Sequence, residues 1–412
     1  MTNQLESDIP SNQIVENKST KGLTVYVYSP FCLLRPTTNR IFDMRLCDSL
    51  AGNQANVTII YPYTYMKDNI SQKEIPASYG VKNNVTTRML LTPLKEHTPK
   101  LYRFVMMMSG FTFATIRIAI ERIFSSHEAV IMSRDAKSLI PAILLRKLSG
   151  RLLKLKIVFL AAEVKDKPIY KWVVRNSDGV FAGVSTTRDA IMKVAKVPKE
   201  KFMLSLAPVP VYTNDCTKQE AKIKIGYTEN KPLIVYTGKL GIEVLELRYI
   251  LKAAKLLPDY NFLFTGGRKS AVDTVKNYCK ELGVGNAIFT GFFNDSTVVR
   301  NYQLAGDVLL SYYTSHDHMV EFNYPQKINE YMSTGNPIVT PDFPATQDVL
   351  NSKNVYFVAP DNEKELANGI KFLIEHPEVG AKLATQALED IKGLTFDSKT
   401  KELLEFIGKL SY

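Results

Sequence analysis

From Leu23 onward, short runs of β-branched and aromatic residues alternate with longer stretches of helical periodicity. The first runs read LTVYVYS (23–29), NVTIIYPY (56–63), EAVIMS (128–133), KIVFLAA (156–162) and GVFAGVS (179–185). Helical spacing fits 39–51, 100–123, 137–147 and 186–194. Strands alternating with helices of this length predict βαβ units and a parallel sheet. After the proline-punctuated stretch 207–214 a second series follows: PLIVYTG (232–238), YNFLFTGG (260–267), AIFTGFF (287–293), DVLLSYY (307–313), NPIVTP (336–341) and VYFVAP (355–360). The pattern predicts an α/β protein of two tandem Rossmann-like, doubly wound domains with a cleft between them. The domains are expected at 23–206 and 215–395, hinged at 207–214. Residues 1–22 are polar and aperiodic and predict a flexible tail. The amphipathic segment within 396–412 predicts a C-terminal helix able to pack back on the first domain.

The stretch 100–123 stands apart. Between Arg103 and Arg117 it runs FVMMMSGFTFATI without a charge. On a helical wheel Arg103, Gly110, Arg117 and Glu121 share one narrow stripe, and Phe, Met and Ile occupy most of the rest. A core helix with a solvated edge fits this pattern. So does an apolar helix at a membrane interface, because the neighbouring RKLSGRLLKLK (146–156) sets five basic residues among leucines.

Composition adds bounds. A chain of 412 residues exceeds what one core usually supports, and 45% hydrophobic with 23% charged residues excludes global disorder, collagen and coiled coil. The four cysteines (Cys32, Cys47, Cys216, Cys279) form no CxxC pair, so they read as buried thiols of a reducing cytoplasm. The first 22 residues contain no apolar core of a secretory signal, and no run reaches about 18 uninterrupted apolar residues. The expectation is a soluble or membrane-surface protein. The net charge of +11 is uneven: residues 1–210 carry 30 Lys+Arg against 16 Asp+Glu, and residues 211–412 carry 22 against 25. A basic half implies anionic lipid or nucleic acid as a partner, and a diffuse surface that aids solubility is the plain alternative.

Ligands of doubly wound domains bind at the carboxyl ends of the strands. In the second series these ends read Tyr236-Thr-Gly-Lys239, Thr265-Gly-Gly-Arg-Lys269 and Thr290-Gly-Phe-Phe293. Glycine at a strand end admits close approach of backbone N–H groups to a phosphate, and Lys239 and Arg268 add charge. One such turn is ordinary, but three in register, two with cations, point to an anionic ligand such as a diphosphate. A further segment, EFNYPQK, leads into INEYMSTG, a short helix that Gly335 would end. Lys327 supplies charge at its start, and Glu330 offers a carboxylate that could accept two ribose hydroxyls. Glu163 and Asp166 follow the strand KIVFLAA on the opposite side. No His/Asp/Glu cluster has metal-ligand spacing; the five histidines (His97, His127, His316, His318, His376) have no partner pattern.

The motifs YTGKL, FLFTGG, IFTGFF, PQKINEYMSTGNPIV and VAPDNEKELANGI, between Pro232 and about Ala387, resemble the donor domain of the group 1, or family 4, glycosyltransferases of GT-B fold. The first half matches more loosely, in strand–helix order. The resemblance implies transfer of a sugar from a nucleoside diphosphate donor with retention of anomeric configuration. It implies that Gly238 and Lys239 meet the diphosphate, Glu330 the ribose, and Phe292 the region where backbone groups read the base. Lys327 and the 321–325 loop, including Asn323 and Tyr324, would meet the phosphates and sugar, with Gly266 and Arg268 beside them. Glu163 and Glu321 are the candidate catalytic carboxylates. Three positions depart from the family pattern. The first glutamate of its E-x7-E element is replaced by Phe322, with Glu321 one residue away. The second cation after Lys239 is missing, and Arg268 or Lys327 would supply that charge. Pro36-Thr-Thr-Asn-Arg40 replaces the N-terminal Gly-Gly loop.

These readings predict a metal-independent transferase without cofactor, acting at the cytoplasmic membrane surface on a lipid-linked or cell-envelope glycan. Two alternatives remain: a sugar-nucleotide epimerase of the same fold, or a nucleic-acid-binding protein using the basic half. The basic segments are interleaved with leucine and methionine rather than stacking aromatics, which suits lipid better than nucleic acid.

Overall fold

The computed structural model describes residues 22–411 except 35–37, 66–69, 96, 126, 207, 211, 213–215, 242, 294, 318–319 and 323. The expected tail, part of the hinge, part of the 36–40 loop, His318 and Asn323 therefore lie outside the described residues. Seven strands form the first sheet: β1 (Thr24–Tyr28), β2 (Asn56–Tyr65), β3 (Val85–Lys95), β4 (Ala129–Ser133), β5 (Leu155–Ala161), β6 (Gly179–Ala182) and β7 (Phe202–Leu204). Six form the second: β8 (Leu233–Thr237), β9 (Asn261–Thr265), β10 (Ala287–Gly291), β11 (Val308–Leu310), β12 (Ile338–Pro341) and β13 (Tyr356–Val358). The orders are β3-β2-β1-β4-β5-β6-β7 and β10-β9-β8-β11-β12-β13, and the paired strands run parallel. Each order turns back at one point, between β1 and β4 and between β8 and β11, where doubly wound sheets open a crevice.

Both sheets are covered on both faces, which is why their central strands read as continuous apolar runs. In β1, Val25 and Val27 face one core and Tyr26 and Tyr28 the other. In β8, Ile234 and Tyr236 alternate in the same way with Leu233 and Val235. The chain crosses between domains twice, and the crossings are joined: Val209 N donates to Leu394 O and Phe396 N to Val209 O, both at 2.9 Å. Beyond the second crossing, helix Phe396–Lys409 packs on helix Thr38–Gly52 and adds Phe396, Leu403, Leu404 and Ile407 to the first domain's core.

On helix Lys100–Ile123 the polar stripe is solvated at Arg117 and Glu121 and half-buried at Arg103 and Gly110. Gly110 lies against Leu90 and Thr92, and Glu121 accepts a hydrogen bond from Tyr26 (3.1 Å) and pairs with Arg88 (3.3 Å). Phe111, Ala114 and Ile118 enter the core. The apolar positions Leu101, Val105, Phe113, Ile116, Ile120 and Ile123 are exposed instead. By length and mean hydropathy, 1.4 over its best window, this helix could cross a membrane. In the fold it lies along β3 and the helix Ile140–Ser149.

The basic run 146–156 also divides. Arg146 pairs with Asp178 at 2.8 Å, and Lys156 is buried, pairing with Glu128 (3.1 Å) and donating to Ile407 O (3.0 Å). Only its other members, Lys147, Arg151 and Lys154, are exposed.

Candidate donor site and interdomain cleft

At the carboxyl ends of β8, β9 and β10 the chain folds three tight turns against one another. Gly238 N donates to Thr265 O (3.0 Å) and Gly266 N to Gly291 O (2.8 Å), so each turn is hung on the next strand. Gly266 has φ +130°, and a Cβ there would fall 1.9 Å from the Gly238 carbonyl oxygen. Only glycine fits this crossing.

A cavity of about 660 Å³ opens over these turns. Gly238, Lys239, Gly266, Arg268 and Phe292 line it from the three strand ends, and Lys327 and Glu330 from the helix Gln326–Met332. Seven of the nine residues expected at the donor are thereby brought together. The buried Thr265 hydroxyl, on a residue that also lines the cavity, has no hydrogen-bond partner among the described residues.

Two side chains of the helix are held from behind. The Lys327 ammonium lies 4.1 Å from the centre of the Tyr236 ring and 4.8 Å from that of Tyr313. Burial there lowers its pKa to about 8, against the opposing pull of Glu246 and Glu330. Gln303 donates to one carboxylate oxygen of Glu330 (3.2 Å). Arg300 donates to the Glu330 carbonyl (2.9 Å) and to Ser333 O (2.6 Å), fixing the end of the helix. Gln303 and Arg300 come from helix Ser296–Ala305, and no local sequence feature marks them as part of the site.

A second space, of about 550 Å³, lies in the cleft between the domains. Phe42, Arg134, Ala162 and Ser205 line it from the first domain, and Lys239, Phe322, Tyr324 and Gln326 from the second. Lys239 and Gln326 also line the donor-side cavity, so the two spaces adjoin. Tyr324 is buried, with its hydroxyl on Asn329. The Phe322 carbonyl accepts from Thr187 (2.6 Å), tying this loop to the first domain. Sequence reasoning missed Arg134, which pairs at 3.8 Å with Asp43. Burial raises the Asp43 carboxyl to about 6, partly offset by Arg134 and the Ser29 hydroxyl.

The two candidate carboxylates are not among the residues lining the cleft or the donor-side cavity. Glu163 turns to Lys165 (2.9 Å) in a neighbouring cavity, because its own carbonyl is anchored by the Tyr170 hydroxyl (2.6 Å). Glu321 is exposed. Among the described residues no group of three or more His, Cys, Asp or Glu could hold a metal ion.

Two parallel, doubly wound domains joined by two crossings define the GT-B architecture. Residues 231–376 match the model of the family described as Glycosyl transferases group 1. Solved structures share the whole fold. HepE of Anabaena, solved with UDP, is 14% identical at a TM-score of 0.65, over 94% of this chain and 100% of its own. Sucrose-phosphate synthase of Thermosynechococcus elongatus is 15% identical at 0.65, over 94% and 98%. UDP-GlcNAc 2-epimerase of Neisseria meningitidis is 14% identical at 0.59, over 93% and 99%. No curated protein sequence matches the chain. The epimerase shows that this fold alone does not choose the reaction.

Proposed function

We propose that the protein is a retaining glycosyltransferase that moves a sugar from a nucleoside diphosphate donor to an acceptor held across the cleft. The observation that carries this reading is a cavity at the three strand ends and the helix Gln326–Met332, lined by three cations and two carboxylates, Glu243 and the braced Glu330. Lys239, Arg268 and Lys327 would meet the diphosphate, which makes the reaction independent of a metal ion. Glu330 would accept the ribose hydroxyls, its orientation set by Gln303. Phe292, exposed beside β10, would lie against the base. HepE, of the same fold, has been solved with UDP and with UDP-glucose, which supports this class of donor. Catalysis would rest on positioning and on electrostatic stabilisation of the departing diphosphate. Epimerisation by proton abstraction fits less well, since among the described residues none that lines the cleft is an aspartate or glutamate. The acceptor would be a lipid-linked or cell-envelope glycan at the cytoplasmic face of a membrane. The exposed apolar face of Lys100–Ile123 in a basic domain supports that location.

Glu330→Gln tests the ribose contact. An amide keeps one acceptor oxygen and loses the charge, so turnover of a nucleotide sugar should fall at least tenfold while the unfolding midpoint stays within error. Turnover equal to the parent's would remove Glu330 from the site. The parent's turnover should also survive EDTA, and strict dependence on added manganese or magnesium would overturn the electrostatic scheme.

A further inference from the structure

The first domain has a cavity that the donor does not use. It measures about 660 Å³ and lies at the carboxyl ends of β4 and β5. Phe159, Ile169 and Tyr170 give it apolar walls, and Arg134, Lys137, Lys165 and Lys167 make it cationic. Two carboxylates line it as well: Asp135 accepts from Ser138 N (3.0 Å) and Glu163 pairs with Lys165 (2.9 Å), while Arg134 pairs with Asp43 (3.8 Å). Lys137 and Lys167 form no ion pair with any described residue, and both are exposed. Four cations against two carboxylates leave the lining net positive beside apolar surface.

Two connections give this charge a direction. Arg134 and Ala162 line both this cavity and the cleft, and Lys239 and Gln326 line both the cleft and the donor-side cavity. At the other end the Lys137 ammonium lies 4.9 Å from the centre of the Phe104 ring, at the start of the exposed face of helix Lys100–Ile123. That face continues through Leu101, Val105, Phe113 and Ile120, with Leu148 exposed on the adjoining helix. The donor-side cavity, the cleft, the cationic cavity and the apolar helix face therefore adjoin one another in that order.

We propose that the last three of these together bind a phosphorylated lipid acceptor. Its phosphate sits among Lys137, Lys165 and Lys167, its sugar-accepting end reaches the cleft, and its hydrocarbon lies along the apolar helix face at the surface of an anionic bilayer. The inference rests on the transferase reading and names its acceptor class. Charge complementarity selects a phosphate, which cationic side chains bind more strongly than neutral groups. The outer face mixes Phe104 and Phe113 with Leu101, Val105, Ile116, Ile120 and Ile123, and a contiguous apolar face of this kind buries in acyl chains.

The full-length protein would be titrated with dodecyl phosphate, with dodecanol and with inorganic phosphate. The reporter is the fluorescence of Trp172, the chain's single tryptophan, two residues from Tyr170. Dodecyl phosphate should bind at least tenfold more tightly than either fragment, and Lys137→Glu/Lys167→Glu should remove that advantage. The same variant should bind UDP as the parent does, because neither lysine lines the donor-side cavity. In flotation, the parent should join vesicles of phosphatidylcholine with phosphatidylglycerol and not vesicles of phosphatidylcholine alone. Phe113→Glu/Ile120→Glu, at two exposed positions, should stay in solution. Equal binding of dodecyl phosphate and dodecanol, unchanged binding by the lysine variant, or capture by single-stranded DNA in place of vesicles would overturn the inference. A parent that binds dodecyl phosphate but no nucleoside diphosphate would instead overturn the donor reading on which the acceptor class rests.

Discussion

Replacing Gly266 with alanine should abolish UDP binding and lower the unfolding midpoint of the second domain. The added Cβ would lie 1.9 Å from the Gly238 carbonyl oxygen, at a φ of +130° that side-chain-bearing residues rarely adopt. The obstacle is backbone, so no rotamer change relieves it; the β8 and β9 turns must part. Strain at such a φ costs about 1–3 kcal/mol, and overpacking about 1–3 kcal/mol more. Together these are a large share of the roughly 5–15 kcal/mol that stabilises a typical domain. The two turns that separate are those carrying Lys239 and Arg268, so the cations move with them. Every ~1.4 kcal/mol lost in binding is tenfold in affinity. Calorimetric titration with UDP, beside urea unfolding, measures both effects. Gly285→Ala serves as the control, since a Cβ at that position meets nothing within 4 Å. Parent-like UDP affinity in Gly266→Ala would separate the turn from the site.

The parts of this architecture that sequence makes visible are those whose cause is local. Central strands such as β1, β5 and β8 are buried on both faces, so their apolar runs stand out without reference to any partner. The strand-end glycines are visible for the same reason, because the backbone geometry they permit is a property of the residue itself. β3 was not legible: its sequence VTTRMLLTPLK mixes polar and apolar positions and contains a proline, as an edge strand with one neighbour can. β7, the opposite edge, is only three residues long. Partners distant in sequence hide the rest. Gln303 and Arg300 brace Glu330 from a separate helix, and Asp43 reaches Arg134 across the first sheet's switch point. Arg146 and Lys156 look like members of a basic surface run until Asp178 and Glu128 are folded onto them. The helix Lys100–Ile123 was ambiguous because its composition serves a core or an interface equally. In the fold Phe111, Ala114 and Ile118 enter the core, Glu121 reaches Tyr26 and Arg88 at its edge, and other apolar residues stay outward with Arg117.

UDP affinity should fall as pH rises above about 8, and Lys327 should account for the fall. Its ammonium is held between Tyr236 and Tyr313, where burial lowers its pKa to about 8 in the free protein. A phosphate dianion binds the charged form better, so the pKa must rise on binding. Linkage then fixes the sign. The full attraction is present below the free protein's pKa and is lost as pH climbs from there toward the pKa of the complex, at up to about tenfold in Kd per pH unit. The terminal phosphate of UDP, with a second ionisation near 6, is already fully ionised in this window and adds no slope of its own. Lys327→Met keeps an unbranched apolar chain between the rings but removes the charge. Losing a charge-assisted contact of about 1.5–3 kcal/mol should weaken binding at pH 7 by roughly ten- to a hundredfold. The variant's affinity should then be flat between pH 7 and about 9, below the ionisation of the uracil N3–H, where the parent's declines. Calorimetric titrations of both proteins across that range give the two curves directly. If the decline persists in Lys327→Met, another group titrates at the diphosphate and Lys327 is only a support for the helix that carries Glu330.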